Sequence, residues 1–285
     1  MEHIILHSLE HSLLDAIRLL PFLFLTYFLM ELLEHSAGDK VTGIISRSGK
    51  IGPLFGSLLG AVPQCGFSAS ASGLYSGRII TLGTLFAIFL STSDEMLPVM
   101  ISSRIPVKTL VIVLATKVVI GALVGFAVDF IFRKKDEVKI GSICESEGCH
   151  CEKGVLRSAL HHTLGVFFFV FAVGFALEII IASVGEERIA EFVSALPALS
   201  NIISATIGLI PNCAASVVIT ELYVEGVISA GAMISGLLTG AGVGTLVLFK
   251  TNKSLKENFA IVFALWCVGA LFGIILDLIG FGAIL

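Results

Sequence analysis

The chain has 285 residues, of which 56% are hydrophobic and only 14% charged, with mean hydropathy +0.99 and a formal net charge of −4. Soluble domains carry about 25% charged residues, so the composition excludes an ordinary water-soluble globule and defines a multi-pass membrane protein with the lipid bilayer as its surroundings. No basic patch is present to bind nucleic acid.

Residues 1–13 place His3, His7 and His11 four apart, with Asp15 one step further. On a helix such residues share one face. The stripe fits two readings, a collector of divalent cations and the polar side of an interfacial helix. No Lys or Arg precedes Arg18 and no small-residue cleavage site follows a short apolar core, so no cleaved signal peptide is expected. Segment 13–35 is long enough to span a bilayer and ends in Glu31, Glu34 and His35.

After a basic loop at 36–50, residues 51–77 are apolar with Pro63 in their middle. Proline breaks a helix where it sits, which leaves a broken crossing helix or a re-entrant hairpin of two half-helices. Segments 79–101 and 107–132 are the next crossings. The stretch 133–157 is charged and carries Cys144, Cys149, His150 and Cys151 beside glutamates. Thiolate and imidazole suit a soft or borderline metal, although the paired spacing of a structural zinc site is missing and a plain charged linker is the competing reading. Six cysteines distributed as three in this loop and three in apolar segments do not make a disulfide framework.

The second part of the chain repeats the first. Gly60-Ala-Val-Pro-Gln-Cys-Gly-Phe-Ser68 returns as Gly208-Leu-Ile-Pro-Asn-Cys-Ala-Ala-Ser216. Pro63/Pro211, Cys65/Cys213, Ser68/Ser216, Tyr75/Tyr223, Gly83/Gly231, Gly121/Gly269, Gly125/Gly273 and Asp129/Asp277 are all identical pairs 148 apart. With a one-residue gap, Glu31 matches Glu178, and acidic residues inside two copies of a spanning helix are costly in lipid and suspected of function. The domain reading is therefore a first membrane repeat (1–132), a cytoplasmic ligand-rich linker (133–157) and a second membrane repeat (158–285).

Charge placement selects a topology. If 51–77 and 199–223 are both hairpins, one side holds Lys40, Arg47, Lys50, Arg78, Arg133, Lys134, Lys135, Lys139, Lys153, Arg157, Lys250, Lys253 and Lys256, while Arg104, Lys108 and Arg188 fall opposite. Crossing segments would instead divide these clusters, against the positive-inside bias. The expected fold is all-α, with two inverted-topology repeats of three transmembrane helices and one re-entrant helical hairpin each, N- and C-termini outside the cell (inner) membrane. Inverted repeats with midplane broken helices are the build of secondary transporters.

Ser91-Thr-Ser-Asp94-Glu95 and its counterpart Thr239-Gly-Ala-Gly-Val-Gly-Thr245 supply carboxylates from one half and glycines that free carbonyls from the other. These are hard oxygen ligands. Capping of a short helix near the surface is the alternative for Asp94 and Glu95. Cys65 and Cys213 with Gln64 and Asn212 would add thiols and amide oxygens, giving a mixed site that disfavours magnesium and calcium. Glu31 and Glu178 join the candidate set; Cys144, Cys149, His150, Cys151, His3, His7 and His11 are candidates for accessory capture. Asp129, Asp277 and Lys117 fit structural charge pairing or a proton route equally. Neither tip cysteine has a histidine nearby in sequence, so no nucleophile-base arrangement points to an enzyme, and no cofactor is implied beyond the ion transported.

The words Gly-Pro-Leu-x-Gly-x-Leu-Leu-Gly-Ala-x-Pro-Gln-Cys-Gly-Phe-Ser (52–68), Leu-Ser-Thr-Ser-Asp-Glu (90–95), 208–216 and Thr-Gly-Ala-Gly-Val-Gly (239–244) resemble the bacterial and archaeal family of ten-helix heavy-metal exporters, also called manganese transporters and arsenic-efflux-like permeases. Six crossings plus four hairpin arms agree with ten helices. The resemblance implies metal efflux from the cytoplasm. Manganese is the expected cargo, with zinc or iron next and protons as the exchanged ion; arsenite or organoarsenical efflux through thiols and a small-anion carrier are the alternatives. A homodimer is left open.

Overall fold

The computed structural model describes residues 2–36, 51–93, 95–132, 155–184 and 199–285, and every regular element among them is helical. In the first half these are α1 (Glu2–Ser36), α2 (Gly52–Gly60), α3 (Cys65–Ser76), α4 (Leu82–Ser91), α5 (Met96–Ser102) and α6 (Val107–Ile131). The second half gives α7 (Val155–Val184), α8 (Ser200–Gly208), α9 (Cys213–Val224), α10 (Ala230–Thr239), α11 (Val243–Thr251) and α12 (Leu255–Leu278) in the same order, followed by a 3-10 turn at Phe281–Ala283. The bounds of α2, α3 and α4 recur in α8, α9 and α10 at the 148-residue offset of the sequence repeat.

Among the described residues six segments are long and apolar enough to cross a membrane: Ser12–Leu29, Leu82–Ser102, Val107–Ile131, Ala159–Ile179, Ala230–Thr251 and Leu255–Leu278. Leu82–Ser102 and Ala230–Thr251 are 71% and 89% buried, whereas the other four are 22–39% buried. Those two form the centre, and the rest present Leu, Ile, Val and Phe outward, as a lipid-facing shell requires.

Neither central segment is one helix. In the second half α10 stops at Thr239, and Gly242 takes φ 52°, ψ −138° before α11 begins. Only glycine adopts that backbone readily. In the first half the continuous helix expected over 79–101 is likewise interrupted: α4 ends at Ser91, Thr92 turns to φ −52°, ψ 128°, and α5 starts at Met96. No glycine is needed there, because hydroxyls take up the freed backbone. Thr92 Oγ1 donates to the Ile88 carbonyl at 2.8 Å, Ser91 Oγ to that of Ala87 at 2.8 Å, and Ser93 Oγ to that of Ala61 at 2.8 Å.

Asp129 and Asp277 have an architectural role that the sequence left open. Asp129 accepts from Thr81 Oγ1 at 2.7 Å and from the Gly83 N–H at 2.8 Å, at the start of α4. Asp277 accepts from Ser229 Oγ at 2.7 Å, the Gly231 N–H at 2.9 Å and Asn201 Nδ2 at 2.9 Å, at the start of α10. Each carboxylate completes an N-cap on the positive end of a central helix. The helices cross almost backbone to backbone at these points: a Cβ on Gly125 would lie 2.5 Å from the Gly83 carbonyl, and one on Gly273 2.5 Å from that of Gly231. In lipid, such close packing of small residues substitutes for the missing hydrophobic drive between helices.

The buried apolar side chains form two clusters. Among the described residues, one joins α4, α5, α6, α9, α10 and α12, with Ala71 and Tyr75 of α3 and Leu248 of α11, around Phe86, Phe89, Met96, Met233 and Leu238; the other joins α1, α3, α7 and α11 around Leu19, Leu23, Val166 and Val247. The halves interlock, since α3 packs on α11 and α9 packs on α5.

Candidate functional site

Both proline-amide-cysteine elements fold the same way. After α2 the chain turns so that the Gln64 N–H donates to the Val62 carbonyl at 2.8 Å, and after α8 the Asn212 N–H donates to that of Ile210 at 2.8 Å. Each is a three-residue turn about a proline, whose fixed φ suits it. The next residue, Cys65 or Cys213, opens helix α3 or α9. The turns meet: Cys65 Sγ lies 3.8 Å from Cys213 Sγ. Cys213 is buried, Cys65 half-buried, and neither is in a disulfide. Two helix N-termini thus converge on one point with their partial positive charge. A cation can settle there only if carboxylates or thiolates offset that field.

Glu178 of α7 is such a carboxylate. Asn212 Nδ2 donates to Glu178 Oε2 at 2.6 Å, while Asn212 Oδ1 accepts from the Ala214 N–H at 2.9 Å as the N-cap of α9. Asn212 is therefore fixed at both ends, and its amide oxygen keeps one lone pair for a ligand. Glu178, Asn212 and Cys213 line a partly open pocket of about 30 Å3 together with Ser12, Gly174 and Val243 from α1, α7 and α11. A void of that size holds a water or one dehydrated ion.

The first half is built differently. Gln64 is exposed and its side chain does not cap α3. Glu95 is half-buried at the N-cap position of α5, where its side chain makes no capping bond, so the helix-capping alternative holds for its position alone. Lys117 of α6 is fully buried, and its ammonium donates to the Thr92 carbonyl where α4 breaks. The counterpart in α12 is Leu265, equally buried. A charge inside a spanning helix is a functional signal, but the sequence held no cue that Lys117 reaches the broken segment.

Asp94 lies outside the described residues, as do Cys144, Cys149, His150 and Cys151, the loop 37–50 and residues 185–198. His3, His7, His11 and Glu31 belong to α1, with side chains outside the description. Among the described residues no three His, Cys, Asp or Glu side chains converge as a ready metal cluster. The structure thus apposes Cys65 and Cys213, separately joins Asn212 to Glu178, and leaves Gln64 at the surface. Cys267 is exposed, and Trp266 Nε1 donates to Thr206 Oγ1 at 3.0 Å.

Among the described residues, an all-helical bundle with six segments able to cross a membrane, two of them broken in their middle, is the build of a membrane transporter. The chain belongs to the family described as "Putative, 10TM heavy-metal exporter", whose model matches residues 2–187. That range takes in Cys65, Asp94, Glu95 and Glu178, and stops before Asn212 and Cys213. No curated protein and no solved structure matches the chain.

Proposed function

We propose that this protein is a secondary transporter that exports a divalent transition-metal cation from the cytoplasm, and that its two halves are inverted repeats whose hairpins, α2–α3 and α8–α9, meet at mid-membrane. The apposition of Cys65 and Cys213 at 3.8 Å, beside the Glu178–Asn212 pair, carries this reading. It supplies one thiol from each half, and the carboxylate and amide oxygen of the neighbouring pair are assigned to complete the shell when an ion binds. Borderline ions accept such a set, while magnesium and calcium prefer oxygen alone. Asp94 and Glu95 are assigned as further hard ligands, which favours manganese among the borderline ions; the thiols draw the preference toward zinc or iron. By the repeat, Glu31 is the sequence counterpart of Glu178, and Gln64 that of Asn212.

The placement of cations supports cytoplasmic loops at 36–50, 133–157 and 250–257, with both termini outside. The linker residues Cys144, Cys149, His150 and Cys151, with His3, His7 and His11 on the far side, are assigned to ion capture. Export is assigned to exchange with protons, because metal binding to carboxylate and thiolate ligands releases protons.

Purified protein in proteoliposomes, offered manganese, zinc, iron, calcium, magnesium, arsenite and phosphate in turn, tests the reading. Saturable movement of manganese or zinc, with protons moving oppositely and calcium excluded, is expected. Transport of arsenite alone would replace it with the second reading, which the thiol pair specifically favours: one trivalent arsenic atom bridged by Cys65 and Cys213.

A further inference from the structure

Below the candidate site, one face of the molecule carries a fastening that joins the two halves. Arg78, in the turn after α3, donates from Nη1 and Nη2 to Oε1 and Oε2 of Glu257 in α12, at 3.1 and 3.2 Å. Tyr75 of α3 donates its hydroxyl to the same carboxylate, and the Arg78 guanidinium lies over the Tyr75 ring at 5.1 Å. One turn away, Ser76 Oγ and Thr251 Oγ1 are 2.7 Å apart, tying the end of α3 to the end of α11. Hydrogen bonding to Glu257 raises the pKa of Arg78 above its already high value, so the cation is permanent. A bidentate, aromatic-backed arginine-carboxylate pair is a stronger and more directional contact than an ordinary surface pair.

The repeat offers the same place on the opposite face, and there the chemistry is absent. Tyr223 is kept, but the counterpart of Arg78 is Gly226, at φ 74°, and the counterpart of Glu257 is Thr109. Thr109 instead donates to the Leu285 carbonyl at 2.7 Å, so the end of the chain lies against α6. An ion pair between Gly226 and Thr109 is impossible.

We propose that Arg78, Glu257 and Tyr75 form a latch that closes the face of the transporter bearing the Arg78 turn and the 252–254 loop, so that the structure is the state shut on that side. The proposal rests on the transporter reading, in which that face is cytoplasmic. The arm bearing Cys65 ends at this latch, and moving that arm away from α11 and α12 requires the latch to break. With no ion pair at the mirror position, the two faces open with unequal ease. The latch would then set which side the empty carrier exposes, as a differential contact present in one state only.

The test uses full-length protein in sealed vesicles with Cys144, Cys149, Cys151 and Cys267 changed to serine, so that Cys65 and Cys213 are the only thiols. A membrane-impermeant maleimide is applied from either side. In the latched protein, labelling from the Arg78 face should be slow; Glu257→Gln should raise it roughly tenfold and Tyr75→Phe by a smaller factor, since the ion pair survives. Arg78→Glu combined with Glu257→Arg should bring the rate back toward the starting value. Unchanged labelling from that face in Glu257→Gln and in Arg78→Gln, with monodisperse protein, overturns the latch. Sidedness is read separately from Lys253→Cys in a background lacking Cys65 and Cys213: labelling from outside would overturn the cytoplasmic assignment, and the latch would then be judged by the same rates at the outer face.

Discussion

The two halves share a helix order and a capping scheme, yet they treat their central break in opposite ways. The second half breaks its central helix with backbone, at Gly240, Ala241 and Gly242, against a buried Leu265. The first half breaks it with side chains: Ser91, Thr92 and Ser93 bond to carbonyls, Glu95 stands at the start of α5, and buried Lys117 donates to Thr92. One copy thus provides a neutral, carbonyl-rich break and the other an ionisable one. The common order of elements follows the 148-residue sequence repeat, and the two copies differ at these few positions.

The sharpest way to test that division is to remove the charge that only the first half has. Asp94→Asn is expected to lose essentially all metal transport and the pH dependence of metal binding, because the second half has no acidic counterpart; proteoliposome uptake at several pH values measures both. Next in size is Lys117→Leu, which gives the first break the residue of the second. Its loss frees the Thr92 carbonyl and the position of the residues after it, and transport should fall about tenfold. Thermal unfolding followed alongside separates this from misfolding: a structural role alone would lower the transition temperature without altering transport at low temperature.

The shared frame predicts nearly equal effects in both halves. Asp129→Ala and Asp277→Ala should each cost about 1–2 kcal/mol by exposing a helix cap, with Asp277 the larger because it accepts three hydrogen bonds against two. Denaturation of the two variants in detergent gives the comparison. The smallest effect is expected from Cys144, Cys149 and Cys151 changed together to serine: export should slow at low metal and keep nearly its maximal rate, because a tethered loop raises local concentration without belonging to the path.

The repeat, the proline turns and the six crossings were legible because each leaves a local mark: an identity at fixed spacing, an imino acid in apolar sequence, a run of sufficient length. The break at Thr92 was not, since Ser-Thr-Ser contains no helix breaker and its stabilising partner Ala61 is distant in the chain. The same holds for Asp129 and Asp277, whose capping partners Gly83 and Gly231 lie 46 residues earlier. Within the site, the meeting of the cysteines agrees with the shared register of Pro63-Gln64-Cys65 and Pro211-Asn212-Cys213, from which one mixed site was expected. Glu178 was selected by its match to Glu31, but its bond to Asn212, which orients both, depends on how α7 packs beside the α8–α9 turn. Gln64, chosen on the same pattern as Asn212, is at the surface because nothing in α3 engages its side chain.

The central claim is that one ion is held by thiols of both halves together with oxygen ligands. Cobalt binding to the purified protein, followed by the thiolate-to-cobalt charge-transfer absorption, tests it directly. The account predicts a band at one equivalent of cobalt that is halved or lost in either Cys65→Ser or Cys213→Ser, persists at weaker affinity in Glu178→Gln, and is competed by zinc and manganese but not by calcium. A band unaffected by both cysteine changes, or none at all in protein that transports metal, would contradict it.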